Sequence, residues 1–253
     1  MTVRPMETLE PDEVRLWTLA PPAMADADAG ALDAFLSGEE RERRDRFVFE
    51  AGRRMHALAR MLTREVLGHH LGREPATLRF EVGPLGKPEL SDAALRFNLS
   101  HTEGLLVLAV TRSRRVGVDA ERCAEARDLT SLAERFFAPA ETAALWRLAE
   151  EDRRRAFFVL WTLKEAYLKA RGEGLSRPLN CACFELDGGQ RLTSVSLDAS
   201  LGDAPERWFW TQPDVSPVHV VAAAVECAPG ESLGVRVTDA AALLKNALAV
   251  RLQ

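Results

Sequence analysis

The sequence predicts an α+β fold made of two α/β halves, residues 1–115 and 116–253, packed with a cleft between them. Three observations lead to it. Two long amphipathic stretches, 53–71 and 157–172, carry apolar residues at helical spacing and stop at glycine. Apolar runs of strand length follow each of them, so a helix-then-strands order occurs twice. Finally, the two stretches echo one another. Residues 53–72 written under 153–172 bring Arg53 onto Arg153, Arg54 onto Arg154, Arg64 onto Lys164, Glu65 onto Glu165 and Gly72 onto Gly172. No flexible linker separates the halves, which therefore pack as one unit.

Taken in order, residues 1–28 read as irregular except for a short strand at 14–19, broken by Pro21 and Pro22. A helical pattern covers 29–47 and ends in Arg41, Arg43, Arg44 and Arg46, a solvated face or an anion contact. The next helix, 53–71, has apolar residues at 55, 58, 59, 62 and 66. Arg53 and Arg54 stand at its amide-rich start, and His69 and His70 read as exposed caps at its end. A strand at 78–82 leads into the turn GPLGKPEL, which presents Lys87. FNLSH at 97–101 precedes the buried strand LLVLAV at 105–110, with Gly104 permitting a tight turn. The strand RVGVDAE at 115–121 alternates strictly, Val116, Val118 and Ala120 against Gly117, Asp119 and Glu121. Pro139 and Glu141 mark the start of a helix running to about 150, ahead of the 157–172 helix. Strands at 180–185, 191–197, 208–212 and 218–226 follow, and 239–252 reads as a closing helix.

Composition narrows the function. With 47% hydrophobic and 28% charged residues the chain is globular rather than disordered. No apolar run approaches the length of about 20 residues that a membrane span needs. MTVRPMETLEPDEV has no apolar stretch behind a basic start, so no secretory signal is expected. Cys123, Cys181, Cys183 and Cys227 form no CxxC and read as reduced thiols of a cytoplasmic protein, not as a zinc site. A net charge of −5 argues against a general nucleic-acid binder. The chain is read as a monomer that contacts neither nucleic acid nor membrane.

The candidate chemistry lies in two segments. Asp119 and Glu121 share one strand face, roughly 7 Å apart at the backbone by the strand rise, and can converge on one small cation. Two acids without a counter-charge raise the pKa of one of them. On the 157–172 helix, Glu165 and Lys169 share a face, with Lys164 about a hundred degrees round. A carboxylate between two ammonium groups suits a site for a metal and a phosphate; taken alone it is also an ordinary solvated pair.

Assembled, these segments resemble the 4′-phosphopantetheinyl transferases of the Sfp type. The likeness covers about 35–226 and rests on ordered blocks: Gly86-Lys87-Pro88 with FNLSHT, VGVDAE, and FFAPAE followed by LWTLKEAYLKARGEGLS. It implies that family's pseudo-symmetric two-halved α/β fold, with coenzyme A as substrate, Mg²⁺ as cofactor and an apo acyl or peptidyl carrier protein as partner. By the same resemblance Asp119, Glu121 and Glu165 would hold Mg²⁺. Lys169, with Lys164 beside it, would neutralise charge as the phosphoanhydride breaks. His101 would bind a phosphate, Ser100 hydrogen-bond nearby, and Lys87 sit near the nucleotide end. Glu165 is the candidate for activating the acceptor serine, directly or through a metal-bound water, and Asp119 joins Glu165 and Lys169 as a catalytic candidate. Glu40 and Arg43 stand where some relatives carry lysines, leaving the 3′-phosphate contact among Arg43, Arg53 and Arg54; residues after Glu226 lie outside the likeness. A metal-dependent phosphohydrolase is the rival reading, opposed by FNLSH joined to WxxKExxxK. A non-catalytic coenzyme A-binding module is the other, opposed by the intact acids.

Overall fold

Strand β1, Glu13–Leu19, opens a series of elements that the chain runs through twice. The first pass continues with helices α1 (Ala29–Asp33), α2 (Gly38–Asp45) and α3 (Glu50–Leu71), the hairpin β2–β3 (Phe80–Val82, Pro88–Leu90), then β4 (Arg96–Thr102) and β5 (Leu105–Thr111). The second runs β6 (Val116–Arg122), α4 (Leu129–Phe136), α5 (Pro139–Arg147), α6 (Glu150–Arg171), the hairpin β7–β8 (Ala182–Asp187, Arg191–Leu197), β9 (Trp208–Thr211) and β10 (His219–Glu226). The sheets repeat the pattern: β1-β5-β4 in one and β6-β10-β9 in the other, all antiparallel. This computed structural model describes residues 8–25, 27, 29–83, 85–123, 129–173, 177–188 and 190–251. Of the segments read from sequence, residues 1–7, 26, 28, Pro84, 174–176 and Leu252 lie outside it.

The echo between the long helices is structural. Helices α3 and α6 are each 22 residues long and each ends on a left-handed glycine, Gly72 at φ 61° and Gly172 at φ 73°. Both bury a cation against the carboxylate that closes a helix N-terminus. Arg64 meets Glu40, whose side chain takes the Ser37 N–H at the start of α2, and donates to the carbonyls of Pro75 and Leu78. Lys164 meets Glu141, whose side chain takes the Ala138 N–H at the start of α5, and donates to the carbonyls of Leu179 and Ala182. Each cation thus welds its long helix to a capped short helix and to the loop beyond.

The layers run helix, sheet, sheet, helix. One face of the first sheet packs on α3 through Trp17, Leu19, Phe97, Leu106 and Leu108. Its other face meets the second sheet through Val14, Leu16, Val107, Val118, Ala120 and Val221. The far side of the second sheet packs on α6 through Val220, Ala222 and Ala224. The alternation of β6 is as expected: the valines enter the core between the sheets, and Gly117, Asp119 and Glu121 turn toward α6. Gly117 decides how close that helix comes. A Cβ there would lie inside contact distance of the Ala166 carbonyl and the Ala170 amide nitrogen.

Several elements differ from expectation. The stretch 29–47 is two helices, because Ser37 and Glu40 form a reciprocal capping box that starts α2 afresh. Helix α5 ends at Arg147, short of the expected 150, and helix α6 begins at Glu150, ahead of the expected 157. His69 and His70 are not exposed caps: both rings pack edge-on to Trp17, whose indole N–H donates to His70 Nε2 at 3.1 Å. The residues after Glu226, assigned by sequence to the second half, return to the first. β11 (Gly234–Asp239) pairs in parallel with β1, and α7 (Ala241–Arg251) buries Leu244 and Leu248 in the α3 core. An edge strand with one open side offers unpaired backbone groups, and β11 takes them.

Two outcomes follow. Gly117→Ala is expected to cost at least about 3 kcal/mol in urea unfolding, since backbone rather than side chain must move; a loss below about 1 kcal/mol would show that the crossing is loose. Glu65 is pushed up to about 7, first by burial and then by Glu74, with Arg251 opposing. A carboxyl whose pKa rises on folding gives stability that is whole below its ordinary value and lost as pH climbs through about 7. Glu65→Gln should therefore raise Tm at pH 8, by roughly 1–2 kcal/mol in stability after screening, and hardly change it at pH 4. An equal change at both pH values would refute the shift.

Candidate active site

Asp119 is the centre of the site. It is buried at the middle of β6, where the α6 crossing faces it with Lys169. Lys169 Nζ donates to Asp119 Oδ1 at 2.6 Å, to Ser100 Oγ at 3.1 Å and to the Val118 carbonyl at 3.3 Å. Ser100 Oγ donates to the same Asp119 Oδ1 at 2.9 Å. One carboxylate oxygen is therefore doubly bonded, while the other, Oδ2, is buried with no partner. An acceptor-only oxygen left so is costly unless a cation supplies the missing charge.

Glu165 lies one helical turn from Lys169, half-buried. Its carboxyl is held above the usual carboxylate range, first by burial, then by Asp119 and with a smaller push from Glu121, while Lys169 pulls the other way. The acids thus act on one another electrostatically across the β6–α6 crossing. Among the described residues, no three His, Cys, Asp or Glu side chains stand close enough to form a finished metal site. The ammonium of Lys169 occupies the centre instead. The unpartnered Oδ2 and the crowding of carboxylate charge are what a divalent cation would relieve, so the donor set fits one.

His101 is the neighbour of Ser100 on β4 and stands at the rim, its imidazole lowered by desolvation and by the Lys169 ammonium, with Asp119 opposing. It also lines a cavity of about 650 Å³ between α2, α3, the β2–β3 hairpin and β4. Arg43, Arg60, Arg64 and Arg79 line the same cavity, with Glu39 and Glu40 as its acids. Arg60 was not picked out from sequence. Its guanidinium is lowered first by burial, with Arg43 and Arg64 adding repulsion against the pull of Glu40. Glu40 is already spent on Arg64 at 3.0 Å, so the cavity wall is short of negative charge. The signal available was the spacing of Arg60 and Arg64, one turn apart on α3, opposite Arg43.

Four candidates lie elsewhere. Lys164 is 1% exposed and points into the second core, where Glu141 holds it at 2.7 Å; a hundred degrees of helical rotation separates it from the site. Lys87 donates to the Val116 and Lys169 carbonyls at 2.8 and 2.7 Å, tying β6 to the end of α6, and burial brings it down to about 8. Arg53 donates to the Phe47 carbonyl at 2.9 Å and Arg54 to the carbonyls of Ala27 and Met24. Both arginines line a separate, smaller hollow beside Asp33 and Arg44, not the large cavity.

Comparison with known proteins agrees with this layout. Residues 115–222 match the family described as the 4′-phosphopantetheinyl transferase superfamily, and residues 25–113 match the N-terminal family of 4′-phosphopantetheinyl transferase. The chain is 41% identical over 177 residues to the 4′-phosphopantetheinyl transferase HetI of Nostoc, covering 68% of this chain and 74% of that protein. It is 37% identical over 205 residues to a putative 4′-phosphopantetheinyl transferase of Synechocystis, covering 74% and 83%. It is 31% identical over 150 residues to the 4′-phosphopantetheinyl transferase Sfp of Bacillus subtilis, covering 58% and 65%. With both halves matched and the acids of β6 set against those of α6, the chain belongs to the 4′-phosphopantetheinyl transferase superfamily and is an enzyme of that type.

Proposed function

We propose that the protein moves the 4′-phosphopantetheine arm of coenzyme A onto a serine of an apo acyl or peptidyl carrier protein, with Mg²⁺, releasing adenosine 3′,5′-bisphosphate. The observation that carries this reading is the buried, unpartnered Oδ2 of Asp119, whose other oxygen is bonded to Ser100, the β4 neighbour of a histidine that lines a cavity walled by arginines. A long anionic substrate needs both, a cation for its pyrophosphate and fixed positive charge for its remote phosphate. Asp119, Glu121 and Glu165 would hold Mg²⁺, which when bound draws charge off the pyrophosphate oxygens.

The chain's own residues do the rest. Arg43 and Arg60 take the 3′-phosphate in the cavity, where guanidinium forks match phosphate oxygens. His101, its imidazole lowered first by burial and then by Lys169, directs an N–H at the phosphates from the rim. Lys169 is already poised at the centre and meets the charge that develops on the leaving phosphate oxygen. The carrier serine Oγ attacks the phosphorus bearing pantetheine; the O–P bond forms, the bond to adenosine bisphosphate breaks, and the serine proton passes to Glu165, directly or through an intervening water. The four cysteines are all free, which fits action in a reducing, cytoplasmic setting.

Incubating the full chain with coenzyme A, Mg²⁺ and an apo carrier should add the mass of one phosphopantetheine to the carrier. Asp119→Ala and Glu165→Gln should each lower kcat by roughly 10²–10³-fold. Cleavage of coenzyme A with no mass gain would favour a phosphohydrolase. Arg60→Ala should raise KM for coenzyme A about tenfold with little change in kcat, and erase the preference for coenzyme A over its 3′-dephospho form. Arg53→Ala, whose guanidinium is tied to Phe47, should leave both parameters unchanged; the reverse pattern would move the 3′-phosphate to the smaller hollow.

A further inference from the structure

The free edge of β6 is closed by side chains in place of a strand. Val118 N–H donates to Asn98 Oδ1 at 2.9 Å, Ala120 N–H to Ser100 Oγ at 3.3 Å and Arg122 N–H to Thr102 Oγ1 at 3.2 Å. Every second side chain of β4 thus meets every second amide of β6, which is the period of both strands. Asn98 and Thr102 each give β6 a backbone bond, and Ser100 goes further. Its hydroxyl accepts from Ala120 N–H and from Lys169 Nζ and donates to Asp119 Oδ1. A serine hydroxyl has one proton and two lone pairs, and all three are used within the protein.

We propose that Ser100 is a positioning residue: it anchors Asp119 through Oδ1 to the β4–β6 ladder, and so presents Oδ2 to the cation. With no donor or acceptor left over, Ser100 has nothing to offer a substrate phosphate. Its effect reaches the reaction through Asp119 and Lys169, as outer partners of a ligating carboxylate act elsewhere. Without the hydroxyl, Asp119 loses one of its two bonds at Oδ1 and can rotate about its side-chain torsions, which leaves Lys169 as the sole anchor. This inference rests on the metal reading above.

The test is cation affinity, measured without turnover. Mn²⁺ alone, followed by its paramagnetic signal, is titrated into the full-length wild type, Ser100→Ala, Ser100→Thr and Thr102→Val, with thermal unfolding run in parallel. Ser100→Ala should weaken Mn²⁺ binding about 10–100-fold, and Ser100→Thr, which restores a hydroxyl, should recover most of it. Thr102→Val breaks a rung of the same ladder away from Asp119; it should lower Tm but leave Mn²⁺ affinity at the wild-type value. Coenzyme A binding in the absence of metal should be unaffected by Ser100→Ala. Equal Mn²⁺ affinity in wild type and Ser100→Ala, or an equal loss in Thr102→Val, overturns the assignment alone. Weakened metal-free coenzyme A binding with Mn²⁺ affinity intact would make Ser100 a substrate contact instead. A wild type that binds no Mn²⁺ overturns the metal reading, and this assignment with it.

Discussion

The site depends on one close crossing, helix α6 over strand β6 at Gly117. Side chains usually keep a helix about 10 Å from the sheet it covers. Here the strand has no side chain at the crossing, and the helix backbone comes down onto it at Ala166 and Ala170. That approach is what lets Lys169, on the last turn of α6, reach the Val118 carbonyl and the Asp119 carboxylate at once. Two further ties hold the crossing. Lys87 bridges the Val116 and Lys169 carbonyls at one end, and the Asn98-Ser100-Thr102 ladder holds the β6 edge at the other. The glycine of VGVDAE is thus as much part of the site as its acids.

Pseudo-symmetry explains where the chemistry sits and where it does not. Both halves bury a cation at the same place in the long helix, and both follow it with a glutamate, Glu65 after Arg64 and Glu165 after Lys164. In both, burial raises the glutamate pKa. The difference lies in what covers that glutamate. Glu65 faces Arg251 and Glu74, in the region that the C-terminal strand and helix close over. Glu165 faces Asp119 and Glu121. One scaffold therefore yields a sealed structural corner in the first half and a cluster of acids in the second.

Much of the fold was legible because it is written in short-range signals: alternation in β6, the helical stripe and terminal glycine of α3 and α6, the proline and glutamate that start α5. The two-halved order was legible in the echo of residues 53–72 and 153–172. What escaped was long-range. The parallel pairing of β11 with β1 spans most of the chain, and no local pattern in GVRVTD names its partner. The break within 29–47 turns on a capping box whose two partners, Ser37 and Glu40, lie inside a stretch of unbroken helical pattern. In the site, periodicity put Asp119 with Glu121 on one strand face and Glu165 with Lys169 on one helix face, and the family resemblance alone implied that the two faces meet. Periodicity could not tell a charge aimed at the cleft from one aimed at the core, and so Lys164, Lys87, Arg53 and Arg54 all looked available.

Why a lysine rather than a neutral donor faces Asp119 follows from charge balance. Asp119, Glu121 and Glu165 lie on two elements locked together by backbone contact, so they have little freedom to move apart when no cation is present. Buried charge left without a counter-charge would then loosen the crossing. Lys169 supplies one positive charge at Asp119 Oδ1 and leaves Oδ2 clear. The Glu165 carboxyl stays raised, first by burial and then by Asp119, against the pull of Lys169 one turn away. Lys169 therefore ties the buried acid of β6 to α6 by charge while the second oxygen of that acid stays without a partner.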